Sequence, residues 1–323
     1  MQWFDIAKFE NELQAVSIII GGRGIGKTYS ALSYLIQHKK RFMYMRNTKT
    51  QIAESATDFG NPFKRLNKDF GWNIHIYPEK EHFNIIDDDT MENIGYAAPL
   101  SVFKNYRGAD LSDVDYILFD EFIESGKLQF DQFKCFVNMR ETVGRNRELL
   151  GEAPLICIML SNSQSLNNPI LVGYDLIGKI EGMLKSGQQK YKQKDLLVLL
   201  PKSEISELKK NTSTYSGLKG SRIYQENIEN KFANDSFYGI QKRNVQEYKP
   251  ICKIDDMYIY QHKSNGRKYV CNTPANNIPE FNSRDNALVF YQFIGRFMPL
   301  EYSHGLVEFS DFTTKSKIMN IIM

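Results

Sequence analysis

The sequence predicts an α/β protein: a large domain on a mostly parallel sheet, then a basic linker and a smaller α+β domain. Three observations carry this. Through the first half of the 323 residues, short apolar runs alternate with longer amphipathic stretches, the pattern of β and α elements in turn. A glycine-rich string, Gly21-Gly22-Arg23-Gly24-Ile25-Gly26-Lys27-Thr28, falls between the first such strand and the first such helix. After residue 200 the texture becomes polar and then strand-like. At roughly 100 to 200 residues per domain, the length fits two.

Taken in order, Ala15 to Ile20 (A-V-S-I-I-I) reads as a buried strand, Lys27 to His38 as a helix and Arg41 to Arg46 as a second strand. A helical stretch from about Thr50 to Leu66 follows, then a meander around Asn73 to Ile86 and Ile94 to Phe103. Tyr116 to Phe119 and Leu155 to Leu160 are further apolar strands. Between them Phe130, Phe133, Phe136 and Val137 recur at helical spacing and read as core packing. Pro201 to Arg222, rich in Lys, Ser, Thr and Gly, reads as a linker with at most one short helix. Beyond it the segments K-I-D-D-M-Y-I-Y-Q-H and R-K-Y-V-C flank Asn265-Gly266, a two-residue hairpin turn signal. The predicted boundaries are 1–200 for the first domain, 201–225 for the linker and 226–323 for the second domain.

Composition narrows the class. With 21 Gly, 10 Pro and 4 Cys the chain is neither collagen-like, disordered nor disulfide-stapled. No apolar run approaches the roughly 18 residues of a membrane span. The start, Met-Gln-Trp-Phe-Asp, lacks a signal peptide's basic and apolar regions, so a soluble, cytosolic protein is expected. The cysteines are isolated and the five histidines show no zinc-ligand spacing. The net charge is only +3, but Lys179 to Arg222 holds ten basic and four acidic residues. That run is either a solvated connector or a contact for a polyanion.

The glycine string matches G-x-x-x-x-G-K-[ST] and sits between strand and helix, as its mechanism requires. Its backbone N–H groups would converge on phosphates, Lys27 would reach the β and γ phosphates, and Thr28 would hold Mg²⁺. Tyr116-Ile117-Leu118-Phe119-Asp120-Glu121 is an apolar strand ending in two acids. Asp120 would bind Mg²⁺, and Glu121 would orient and polarise the attacking water, unless it merely begins a solvated loop. This pairing marks an additional-strand, catalytic-Glu P-loop ATPase instead of a P-loop kinase. Asn162, at the end of the strand Leu155 to Leu160, is the candidate sensor of the γ-phosphate or the lytic water, although a strand-end Asn is also an ordinary turn former. Guanine-specific N-K-x-D and the L-S-G-G-Q string are missing, which favours ATP and disfavours an ABC transporter subunit. Arg145-Asn146-Arg147 precedes the sensor strand, where an arginine can reach a neighbouring subunit's γ-phosphate; Lys104 and Arg107 are second candidates.

The glycine string, Ala98-Pro99-Leu100-Ser101-Val102, F-D-E-F-I, and Arg145-Asn146-Arg147-Glu148 followed by C-I-M-L-S-N together resemble the genome-packaging ATPases of phi29-type bacteriophages. The resemblance covers roughly residues 15 to 170. It implies a homo-oligomeric ring, a pentamer, that pumps double-stranded DNA into a preformed capsid. Such a motor works in the host cell cytoplasm at the portal vertex, against the portal (connector) protein and with a packaging RNA. It implies a trans-acting role for Arg145, and for Arg107 where the family has lysine, a change that keeps charge but alters donor geometry. The family's DNA-gripping lysine falls on Lys49.

The resemblance also implies an RNase H-type C-terminal domain without an active site. Asp255 and Asp256, adjacent on a predicted strand, would point to opposite faces and could not both line a two-metal site. Glu308 and Asp311 could still converge with one of them. The expectation is no nuclease activity and a nucleic-acid or portal-binding role. Two alternatives stand beside this: a large terminase with an active C-terminal nuclease, and a P-loop protein that is not a motor, either a scaffold or a small-molecule kinase.

Overall fold

The computed structural model describes residues 3–79, 82–106, 110–124, 130–163, 165–219, 221–229 and 239–322. The chain divides into two compact units, Met1–Tyr174 with Lys179–Asn234, and Asp175–Gly178 with Asp235–Met323.

In the first unit the strands are β1 (Val16–Ile20), β2 (Phe42–Arg46), β3 (Ile74–Glu79), β4 (His82–Asp87), β5 (Glu92–Pro99), β6 (Tyr116–Asp120), β7 (Ile156–Ser161), β8 (Lys190–Gln193) and β9 (Leu196–Leu199). They form one nine-stranded sheet in the order β3-β4-β5-β2-β6-β7-β1-β9-β8. Its centre, β5-β2-β6-β7-β1-β9, is parallel, and the β3-β4-β5 meander and the β8-β9 hairpin extend it antiparallel. Every residue of β1 and β6 is buried, which is why parallel central strands read as unbroken apolar runs. Registers Ile20↔Ser161 and Asp120↔Leu160 bring the C-terminal ends of β1, β7 and β6 side by side. Ligands of open α/β sheets bind along that edge.

The helices are α1 (Lys27–Gln37), α2 (Lys49–Ser55), α3 (Lys64–Phe70), α4 (Gln132–Gly144), α5 (Pro169–Gly173), α6 (Ile177–Ser186), α7 (Glu204–Lys209) and α8 (Arg222–Asn227). The single helix expected from Thr50 to Leu66 is two. Thr48 and Gln51 form a capping box that starts α2. The turn that follows α2 brings Gly60 back against it, so closely that a Cβ there would lie 2.2 Å from the Glu54 carbonyl oxygen. In α4, Phe136 is fully buried against Phe119 of β6, at a centroid distance of 6.3 Å, while Val137 is 41 % exposed, so the aromatic spacing marks core only in part. Phe136→Ala is expected to cost about 3–5 kcal/mol, read as a fall in the chemical-denaturation midpoint.

The expected linker is not one. Residues 201–225 belong to the first unit, and β8 and β9 precede them. Leu197, Val198 and Leu199 pair β9 with β1, and the chain then folds over the glycine loop. A Cβ on Gly21 would meet Pro201 at 3.3 Å, and one on Gly22 would meet the Asn227 carbonyl oxygen at 2.8 Å. The segment buries only a few apolar side chains, Ile205 and Tyr224 among them, and its otherwise polar composition imitates a linker.

In the second unit β10 (Tyr248–Ile254), β11 (Met257–His262), β12 (Lys268–Cys271), β13 (Glu280–Phe281) and β14 (Val307–Phe309) form a sheet in the order β13-β10-β11-β12-β14. Helices α9 (Ala287–Phe293), α10 (Met298–Ser303) and α11 (Phe312–Ile322) accompany it, and Ile254, Ile259, Val270, Phe290, Phe309 and Ile318 are in its core. Asn265-Gly266 lies in the β11-β12 turn, with Gly266 at φ +72°. The segment K-I-D-D-M, expected as one strand, turns back on itself. Ile254 pairs with Met257, so Asp255 (φ +51°) and Asp256 form a tight turn, a conformation that Asp tolerates.

Candidate active site

The loop between β1 and α1 carries Gly24 at φ +69° and Gly26 at φ +95°, which bend the backbone around the N-terminus of an 11-residue helix. Such an end presents unpaired N–H groups and a partial positive charge to an anion. Lys27, 7 % exposed, donates from Nζ to the carbonyl oxygens of Gly21 and Gly22 (2.9 Å each) and to Oδ1 of Asn162 (3.0 Å). Burial pulls its pKa down to about 8, against the opposing pull of Asp120 and Glu121. Among the described residues the hydrogen bonds of this ammonium all go to neutral oxygens, and a desolvated ammonium so held is a receptor for negative charge.

Asp120 ends β6. Its Oδ1 accepts from the Thr28 hydroxyl (3.0 Å) and its Oδ2 from the Tyr44 hydroxyl (3.2 Å). Burial raises its pKa, and the Arg46 guanidinium 3.9 Å away opposes the rise. The Thr28 hydroxyl and Asp120 carboxylate are hard oxygen donors brought together, which fits Mg²⁺, an ion commonly held by one or two protein groups together with substrate phosphates. Glu121 stands just past the strand at φ +50°, and its Oε2 accepts from Arg46 Nη2 at 2.5 Å. Arg23, Lys27, Thr28, Asp120, Glu121 and Asn162 all line one cavity of about 300 Å³.

Three contributors were not anticipated from sequence. Tyr44 and Arg46 enter because β2 lies beside β6, a neighbour relation that no local motif records. Lys209 at the end of α7 donates to the carbonyl oxygens of Arg23 (2.7 Å) and Gly24 (3.4 Å), clasping the glycine loop from the segment expected to be a linker. The only signal for it was the basic excess of Lys179 to Arg222.

Other expected residues lie outside the cavity lining. Arg145 caps the C-terminus of α4 at φ +46°, half exposed, with Nη1 3.8 Å from Asp110. Lys49 is exposed on the first turn of α2. Arg107 lies outside the described residues, as does the side chain of Lys104. In the second unit the acids are dispersed. Asp255 accepts from the Ser283 N–H (2.9 Å), Asp256 pairs with Lys317 (2.7 Å), Glu308 takes a two-pronged Arg243 (2.7 Å each), and Asp311 caps α11 through Thr314 N–H (2.7 Å). Among the described residues no group of three or more His, Cys, Asp or Glu is placed to hold a metal, and no helix is long and apolar enough to cross a membrane.

The profile of the podovirus DNA encapsidation protein (Gp16) family matches residues 3–272. The DNA packaging protein of Bacillus phage B103 is 29 % identical over 238 residues, which cover 71 % of this chain and 68 % of that one. The DNA packaging protein of Bacillus phage phi29 is 27 % identical over 237 residues, 71 % of this chain and 65 % of that protein; the matched stretch thus spans less than two thirds of the phi29 protein. The fold resembles the Phi-28 gp11 DNA packaging motor at a TM-score of 0.67 and 19 % identity, covering 99 % of this chain and 98 % of that one. It also resembles the bacteriophage Phi-29 viral genome packaging motor assembly at 0.66 and 19 %, with both chains covered in full. With the family profile matched over residues 3–272, the chain belongs to the podovirus DNA encapsidation protein (Gp16) family.

Proposed function

We propose that the chain is the ATP-hydrolysing subunit of a motor that drives double-stranded viral DNA into a preformed capsid. The observation that carries this is the convergence of Lys27, Thr28, Asp120, Glu121 and Asn162 on one cavity. ATP phosphates would replace the loop carbonyls as partners of Lys27, Asn162 would stay within reach of the terminal phosphate, and Glu121 would accept a proton from water. Thr28 and Asp120 would hold Mg²⁺, which when bound neutralises phosphate charge. A homo-oligomeric ring, here proposed as a pentamer at the portal vertex with portal protein and packaging RNA, would let Arg145 act on a neighbour. Lys49 would touch DNA phosphates, a grip without sequence preference that weakens with salt. Arg107 would act in trans with Arg145. The second unit is proposed as an RNase H-like module without nuclease activity, supported by acids that are each engaged separately.

The test uses a built-in reporter. Trp3 packs on the loop, 3.2 Å from where a Gly26 Cβ would sit, so ATP titration should change its emission in a Trp72→Phe background. Lys27→Ala should abolish that change, and DNA should stimulate wild-type turnover. A wild-type protein blind to ATP or indifferent to DNA would sink the proposal.

A further inference from the structure

Directly behind Glu121 lies a chain of three buried carboxamides with no assigned role: Asn47 after β2, Gln132 on the first turn of α4, and Asn168, the N-cap of α5. Asn47 and Gln132 are 0 % exposed and Asn168 is 4 % exposed. Gln132 Nε2 donates to Asn47 Oδ1 (2.7 Å) and to the Phe122 carbonyl oxygen (2.6 Å), and its Oε1 accepts from Asn168 Nδ2 (2.8 Å). Asn47 Nδ2 donates to the carbonyl oxygens of Glu121 (3.2 Å) and Phe122 (3.4 Å). Asn168 Nδ2 also reaches the Phe122 carbonyl oxygen (3.4 Å), and its Oδ1 accepts from the N–H groups of Ile170 and Leu171.

Three carboxamides in a core are costly unless every donor and acceptor is used; here Asn168 Oδ1 caps α5, and the donors not spent joining the three to one another go to the Glu121 and Phe122 carbonyl oxygens. The left-handed turn at Glu121 takes the Glu121 and Phe122 carbonyls out of the sheet's parallel ladder. Those oxygens accept from the side chains of Asn47, Gln132 and Asn168. The Phe122 N–H still pairs with the Leu160 carbonyl oxygen of β7 at 3.2 Å, so the turn is pinned from the sheet on one side and by the carboxamides on the other. A non-glycine residue at φ +50° persists only where its surroundings over-determine it.

We propose that Gln132 is a positioning residue for Glu121: with Asn47 and Asn168 it fixes the turn that aims the Glu121 carboxylate into the nucleotide cavity. This rests on the reading of Glu121 as the group that activates water. Gln132 touches no substrate and acts only through the backbone of residues 121 and 122. A misplacement of about 1 Å at a reacting group costs on the order of 10²-fold in rate, and that is the effect expected here.

The experiment compares Gln132→Met, which keeps length but removes the carboxamide, with Gln132→Asn, which withdraws it by one methylene and serves if the Met variant melts below assay temperature. Each is measured for ATP affinity through Trp3 emission and for kcat, alone and in a Glu121→Gln background. Affinity should stay within about twofold of wild type while kcat falls on the order of 10²-fold, and the same change should have no further effect once Glu121 is Gln. Wild-type kcat in a folded Gln132 variant would overturn the proposal, as would an equal loss in both backgrounds. If Glu121→Gln itself turns over normally, the reading of Glu121 fails first. If Glu121→Gln is inactive and the Gln132 variants are not, only the role of Gln132 falls.

Discussion

Arg145→Ala is expected to bind ATP as wild type does and to lose on the order of 10³ to 10⁵ in turnover within the assembled motor. The structure separates the two arginines of the R-N-R string. Arg147 is 8 % exposed and donates from Nη2 to the carbonyl oxygens of Val114 (2.9 Å) and Ser112 (3.2 Å). It anchors the connection between α4 and β7. Arg145 is half exposed and does not line its own chain's cavity. Just beyond it Leu149 and Leu150 are 84 % and 75 % exposed.

Mixing gives the decisive form of the experiment. In a head-to-tail ring, a 1:1 mixture of Arg145→Ala and Glu121→Gln subunits regenerates complete sites wherever the first presents Glu121 and the second presents Arg145, roughly one site in four. Activity should therefore rise from near zero in either variant alone to a measurable fraction of wild type. A mixture no more active than the mean of its parents would show that Arg145 does not act across a boundary.

What could be read from sequence was whatever sits next to a strand end in the chain. The glycine loop follows β1, Asp120 and Glu121 follow the apolar run of β6, and Asn162 follows β7, so each is a local pattern. Tyr44, Arg46 and Gln132 depend instead on β2 lying beside β6 and on α4 packing behind the turn, relations between segments distant in sequence. The 201–225 segment misled for a different reason. It meets the glycine loop through Pro201, Ser206 and Lys209, with the Asn227 backbone just beyond, contacts that leave no apolar periodicity in the sequence. Asp255 and Asp256 read as strand because the alternation runs through them, and a two-residue turn between paired strands barely interrupts that pattern.

Glu121→Gln carries the second large effect. The substitution keeps shape and leaves an oxygen for Arg46 Nη2, which now bonds Oε2 at 2.5 Å, so neither the turn nor its carboxamide support has reason to change. What is lost is the negative charge and the capacity to take a proton. General-base assistance is worth about 10² to 10⁴-fold, and turnover should fall by that factor while ATP affinity holds. Affinity should hold because Lys27, the loop N–H groups and Asn162 are untouched, and because one less carboxylate near the phosphates lowers repulsion. Stopped-flow binding through Trp3 together with steady-state phosphate release separates the two quantities. Parallel losses in both would mean that Glu121 shapes the pocket, and unchanged turnover would remove it from the chemistry. A fall in turnover alone fits a carboxylate that acts on water and leaves nucleotide capture to the glycine loop.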